Sequence, residues 1–411
     1  MPILPRRSFP LVAAALALFG TTAIPATAGE ALSLLARAPQ DLVATRLLAP
    51  DTHHSTASLD RAPASLSWPL DRAAALDGRP QAYSAASREY WIDADEGELR
   101  NGIRLPLSAS GAVVRISPHG GGAGNAIAMA DVQVLVAGHR LDNARAIRSG
   151  ADEDALRGAG MDVPQGSVAL RLGDEVAGDD VRLALPTAHG AYLVHVFEPA
   201  STIVLGLAAE RDGIAGGDRM RFRATIAGAT LERVGGLVSA PDGASQTVDF
   251  GRQPDGSYVA EVTPDVAHAG GHGLWEMHAF GITGGKNAIP RDAKTAFAVS
   301  RPLARLEGGA ERVATLSRNS GLALSVGVET GAASRYGLSG VLYGTGNDGK
   351  LHPVAMAQSA AWLDAGHGRI ELRYDAASLS LGAPWEVRDL RLVDQADMSL
   401  QERRERAFAL Q

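Results

Sequence analysis

Asp93, Asp95, Glu96 and Glu98 place four carboxylates within six residues, and hard oxygen ligands crowded into one loop are what calcium requires. The string lacks the third Asx ligand, the glycine and the closing glutamate of an EF-hand loop. Asp93, Asp95 and Glu98 therefore stand as calcium candidates beside the simpler reading of a solvated acidic turn. His268, His272, Glu276 and His278 invite a zinc reading. Two histidines at i and i+4 share a face only on a helix, and Gly270-Gly271 between them opposes one; a loop histidine and a strand-surface histidine are the simpler account. No metal or cofactor is expected.

Covalent and acid–base catalysis leave a similarly thin trace. His119-Gly120-Gly121-Gly122 matches the string that forms an oxyanion hole in lipases and esterases. The chain has no G-x-S-x-G elbow to go with it, and Gly337-Leu338-Ser339-Gly340 misses that pattern inside an expected strand. Glu371 with Asp375, and Glu386 with Asp389, could be paired carboxylates for glycoside hydrolysis, but they read more simply as strand-face and turn residues. Trp91, Trp275, Trp362 and Trp385 could stack on sugars or peptides, though Trp in a β-sandwich is by default a core residue. These residues favour a non-catalytic protein, with a hydrolase sited in the N-terminal domain as the alternative.

The elements that would position them are mostly strands. Among 411 residues there are 47 glycines, scattered as turn residues, and many short strands between glycine turns make sandwiches or barrels. Residues 1–28 read as a signal peptide: Arg6-Arg7, an apolar run from Leu11, and small residues ending Ala26-Thr27-Ala28. Residues 29–87 are an Ala/Pro/Ser-rich leader or linker, with helical pieces expected at 31–37 and 42–48. An N-terminal β-rich domain follows at 88–200, with small helical insertions at 143–148 and 153–158 begun by Asp142 and Asp152. In a second domain at 201–301, Met220, Phe222, Ala224 and Ile226 alternate with Arg219, Arg221, Arg223 and Thr225, the signature of a half-buried antiparallel strand. Pro241-Asp242-Gly243 and Pro254-Asp255-Gly256 are turn signals. In a third domain at 302–411, Asn347-Asp348-Gly349 predicts a primed hairpin turn, and Ser399-Leu400-Gln401-Glu402 predicts a capping box opening a terminal helix. The fold class expected is all-β, in three consecutive β-domains of which the last two are immunoglobulin-like sandwiches.

Charge and cysteine content bound the setting. The net charge of −7 disfavours nucleic acid and anionic membrane surfaces, which call for basic patches. The absence of cysteine rules out disulfides, thiolate zinc sites and a Cys nucleophile. Beyond the signal no segment approaches the length of a membrane span. The expectation is a mature protein free in the periplasm or secreted, using sandwich surfaces to recognise a protein or glycan partner. An assembly factor or inhibitor for a co-exported enzyme is a further alternative.

Two resemblances sharpen this picture. Asp255-Gly256-Ser257-Tyr258 through Thr263-Pro264, then Gly273-Leu274-Trp275-Glu276-Met277-His278-Ala279, with Ile289-Pro290 and Phe297, resembles the end of filamin-like and bacterial immunoglobulin-like repeats. That likeness covers about 201–300 and implies fold only. The whole mature chain is similar to an exported bacterial family of unassigned function, with an N-terminal β-domain before two immunoglobulin-like domains. It shares Tyr90-Trp91-Ile92-Asp93, Leu105-Pro106-Leu107-Ser108, Tyr343-Gly344-Thr345, Gln358-Ser359-Ala360-Ala361-Trp362-Leu363 and Trp385-Glu386-Val387-Arg388-Asp389-Leu390. The resemblance implies architecture and export, and it brings no catalytic residues.

Overall fold

The computed structural model describes residues 30–52, 54–76, 83–119, 127–178, 180–269, 273–312 and 321–411. The expected signal segment, Gly120–Gly122 and the Gly270–His272 stretch lie outside them. The chain is all-β, with three short α-helices among the described residues. Its strands form several antiparallel sheets around three apolar cores.

In the N-terminal unit the strands Glu89–Asp95, Ala191–Phe197, Val113–His119, Val168–Leu172 and Ile147–Ala151 lie side by side. A small sheet holding Gln133–Val136 and Val181–Ala184 faces them across a core that includes Tyr90, Val114, Leu170, Leu183 and Val194. Two helices begin where expected, although the first ends at Ala146 and gives way to the strand Ile147–Ala151, and a third, Glu96–Asn101, was not expected. Asp142 and Asp152 cap Asn143–Ala146 and Glu153–Gly158 by accepting from Ala144 and Ala155 N–H, which satisfies first-turn amides that have no intrahelical partner.

The middle unit confirms the alternation read at 220–226. Met220–Ala227 is a strand whose Met220, Phe222 and Ala224 are buried and whose Arg221 and Arg223 are exposed. It pairs Phe222 opposite Ala260 and Ala224 opposite Tyr258. Across the core stand Val234, Met277 and Phe297 from Leu231–Ser239, Trp275–Thr283 and Pro290–Ser300. The Leu231–Ser239 strand carries Gly235-Gly236 at its centre; glycine weakens a strand signal, and this element was not legible in the sequence.

The C-terminal unit packs a five-stranded sheet, centred on Leu351–Leu363, Ser334–Thr345 and Gly382–Asp394, against a four-stranded one that holds Ala304–Arg312 and Leu322–Thr330. The hairpin at Asn347-Asp348-Gly349 is not of the primed type. Of its residues only Gly349 is left-handed (φ 72°), and Gly349 N–H donates to Gly346 O. This is the geometry of a type I turn closed by a glycine bulge.

Two further expectations fail, each because a distant partner outweighs local preference. The leader is not helical at 31–37 or 42–48. Glu30–Ser33 adds a strand beside Ala304–Arg312, Leu42 bridges to Arg403, and Ala64–Pro69 and Ser84–Ser87 extend sheets of the C-terminal and middle units. The terminal helix is instead the strand Ser399–Leu410, paired with Gly382–Asp394. Gln401 and Glu402 do satisfy backbone amides as capping residues would, but those of Leu303, Ala304 and Leu306 on another strand. The N-terminal and middle units are distinct in their cores but share one ten-stranded sheet, joined where Asp292 of Pro290–Ser300 pairs with Glu89 of Glu89–Asp95.

Candidate functional site

The shared sheet creates the site. Period-2 alternation sends Glu89, Trp91 and Asp93 to one face. Cross-strand register sets Phe197, His195 and Leu193 beside them on one side. On the other side the Asp292–Glu89 pairing brings in Asp292 and Lys294, followed by their partners Phe280 and His278 and then Gly235 and Leu237. The result is an open cleft of about 950 Å³ across the junction of two units, lined by Trp91, Asp93, Arg233, Asp249, His278, Phe280, Asp292 and Lys294 among others.

Its groups contact one another closely. Trp91 stacks on His195 at 4.8 Å and meets His278 edge-on at 5.4 Å, while His278 lies 4.3 Å from Phe280. Lys294 Nζ sits 5.4 Å over the Trp91 ring and 3.1 Å from Glu276. His195 Nε2 is 2.7 Å from Glu89. Asp292 accepts the Trp91 backbone N–H at 2.8 Å. His278 Nε2 is buried without a hydrogen-bond partner, 3.9 Å from Asp292.

Burial and charge shift two of these groups in opposite directions. Burial pushes the Asp292 carboxyl up to about 7; the Trp91 N–H opposes this and the Glu89 carboxylate adds to it. Burial, reinforced by Lys294, pulls His278 down to about 4. The seam therefore sets two carboxyl groups opposite each other, and a raised proton affinity relieves the repulsion.

A stability prediction follows from the signs. Asp292 has a raised folded value, so its contribution is complete below its ordinary value of 3.8 and is lost as pH rises toward 7. His278 is depressed, so its contribution is present above 6.5 and is lost as pH falls toward 4. The two slopes largely cancel between pH 4 and 6.5. In Asp292→Asn only the His278 slope survives, and stability should rise with pH over that range. The gain of Asp292→Asn over the unchanged protein should widen by up to roughly 4 kcal/mol between pH 4 and 7, at about 1.4 kcal/mol per unit, and then stay level. Denaturant midpoints at pH 4.5, 6 and 8 measure it, and a constant difference would mean Asp292 is ionised throughout.

The residues singled out in the sequence take varied places. Asp95 and Glu98 form the capping box of the helix Glu96–Asn101, each accepting the other's backbone N–H. Asp93 stands apart from them on the cleft wall. Among the described residues no three His, Asp or Glu side chains are grouped to hold a metal. His268 pairs with Asp242 at 2.7 Å, away from His278. Glu371 pairs with Arg373, and Arg388 and Arg406 clamp Glu386. Trp275 is in the core, as the default assigns it. Trp91 is not: it lines the cleft. Trp362 carries the Arg61 guanidinium 4.1 Å over its ring, and Trp385 lines a separate cleft of about 720 Å³ with Arg72, Asp348 and His352. His195, Asp292 and Lys294 were not singled out. Their signal, polar residues on the open side of alternating strands, is shared by every solvated sheet face.

Comparison with known proteins gives a fold and a family. A DUF4785 family protein from Legionella pneumophila subsp. pneumophila str. Philadelphia 1, seen in a crystal structure, is 18% identical over 91% of this chain and 98% of its own, with a TM-score of 0.70. At that identity the likeness establishes a shared fold. The trypsin-activated alpha-2-macroglobulin of Escherichia coli is 16% identical over 69% of this chain and 21% of its own, with a TM-score of 0.20. The Salmonella alpha-2-macroglobulin mutant Y1175G is 16% identical over 79% of this chain and 20% of its own, with a TM-score of 0.29. Neither similarity is close enough to bear on the site. No curated protein matches the chain. Residues 55–198 match the "Domain of unknown function (DUF4785) N-terminal domain" and residues 304–411 the corresponding C-terminal domain. With both matches in chain order and together spanning more than half of it, the chain belongs to the DUF4785 family.

Proposed function

We propose that this protein is an exported, non-catalytic recognition protein that binds a protein or glycan partner outside the cytoplasm, with the junction cleft as its recognition surface. The observation that carries this reading is the cleft itself: an aromatic and charged concavity built jointly by two units. Its walls are held in place by the buried Arg291–Glu198 pair at 2.5 Å behind the sheet. A preformed site with an apolar body and a few fixed polar groups is the usual form of a ligand pocket. Export is supported by the three-part N-terminus around Arg6-Arg7 and Ala26-Thr27-Ala28. We further read the middle and C-terminal units as immunoglobulin-like, on the strength of their facing antiparallel sheets and the repeat-like run from Asp255 to Phe297.

Two measurements test the proposal. Mass spectrometry of the protein recovered from its native host should give an N-terminus at or near Gly29, and an intact Met1 would refute export. Tagged mature protein should capture a partner from the periplasmic or secreted fraction, and Phe280→Ala with Lys294→Glu should abolish that capture. Capture that survives the double substitution would move recognition away from the cleft.

A further inference from the structure

The chemistry of the cleft narrows what can occupy it. At its floor, Gly235 is paired with Asp249 on one side and Phe280 on the other, and Phe280 in turn with Asp292. An extended peptide would find no free backbone edge to pair with at this platform, and edge pairing is how sheets ordinarily bind peptides. Recognition there must run through side chains. Phe280, 40% exposed, offers an apolar face next to its cross-strand partner Gly235. Nothing lies within 4 Å of where a Gly235 Cβ would stand, so the floor there is bare backbone open to a ligand; a glycine inside a strand commonly marks such an approach.

Around this platform stand both donors and acceptors, Arg233 and Lys294 together with Asp93, Asp249 and Asp292. An apolar ring face bordered by both kinds of group complements a molecule whose own ring has C–H faces and a rim of hydroxyls, each both donor and acceptor. About 950 Å³ is at the upper end of pockets for small ligands, roughly 300–1,000 Å³, and so admits more than one sugar ring. Resting on the recognition reading above, we propose that the cleft is a saccharide site. An uncharged oligosaccharide lays a C–H face on Phe280 over Gly235, and Asp93, Asp249, Arg233 and Lys294 take its hydroxyls.

Gly235 makes the test clean. Its φ is not left-handed and the space above it is empty, so Gly235→Leu should fold with an unchanged or raised melting midpoint while filling the floor. The neighbouring Gly236 could not be used, because a Cβ there would meet Phe250 at 2.8 Å. The full mature chain is applied to an array of immobilised neutral, acidic and amino-sugar oligosaccharides, and the strongest soluble binder is then titrated by calorimetry. Neutral oligosaccharides should bind, with affinity little changed by added salt. Gly235→Leu and Phe280→Ala should each weaken binding at least about tenfold (the equivalent of about 1.4 kcal/mol), and Arg221→Asp on the other sheet should not. Binding to no saccharide, or equal binding by Gly235→Leu, overturns the saccharide assignment. If a protein partner is instead captured and then lost in Gly235→Leu, the saccharide assignment falls while the recognition reading stands.

Discussion

Arg291→Met should destabilise the protein by about 3–5 kcal/mol, the cost of leaving one member of a buried ion pair without its partner. Arg291 and Glu198 are both fully buried, 2.5 Å apart. The guanidinium also donates to Ser108 and Ser201 Oγ, each at 2.9 Å, and to the carbonyls of Ile203 and Pro290. Glu198 in turn accepts the backbone N–H groups of Ser108 and Ala109. These residues come from both units that share the ten-stranded sheet, and among the described residues a single residue pair, Asp292 with Glu89, joins the sheet's two halves. Removing the cation strands a carboxylate in the seam. Since a domain nets only about 5–15 kcal/mol, the loss would be plain in guanidinium unfolding at pH 7. Arg291→Met combined with Glu198→Gln should recover part of it, because no uncompensated charge then remains. A change below about 1 kcal/mol for the single substitution would show that the seam does not depend on this pair.

Phe222→Asp should cost at least about 5 kcal/mol and leave the middle unit unfolded. Deleting a buried Phe ring alone costs about 3–5 kcal/mol, and the carboxylate adds an unpaired buried charge. The ring is fully buried, edge-on to Phe297 at 5.2 Å, and opposite Ala260 on the neighbouring strand. Arg221, one residue earlier, points to solvent and lies 3.5 Å from Glu261. Arg221→Asp should cost less than about 1 kcal/mol, since exposed pairs contribute little. Circular dichroism melts of the two full-length variants compare them directly. Similar behaviour would contradict the register that places Phe222 inward. The middle unit should not be judged as an isolated fragment, because its sheet includes the leader strand Ser84–Ser87, paired with Val204–Ala209.

How much of this was legible in the sequence depended on whether the information was local. The strand Met220–Ala227 was legible because a period-2 pattern reports one face buried and one wet wherever the strand sits. The helices at 143 and 153 were legible because Asp142 and Asp152 satisfy amides two or three residues away. The all-β class was legible from many short alternating runs between glycine turns. In contrast, the terminal capping box and the leader helices were misread: Glu402 and Leu42 are claimed by Leu306 and Arg403, about a hundred residues away and several hundred away respectively. Local propensities amount to tenths of a kcal/mol per residue, and sheet pairing and burial exceed them. The candidate site was the least legible of all. Trp91, His195, His278, Asp292 and Lys294 come from four strands spread over more than two hundred residues. Each alone is an ordinary residue on a solvated strand face. By itself the sequence determined which residues of the alternating strand Met220–Ala227 face inward and where Asp142 and Asp152 cap their helices, because those depend on neighbours a few residues apart. Only the tertiary structure decided that the N-terminal and middle units share one sheet, which sets Asp292 against Glu89 and gathers their solvent-facing side chains into one cleft, because the pairing of strands about two hundred residues apart depends on packing between units and not on neighbours along the chain.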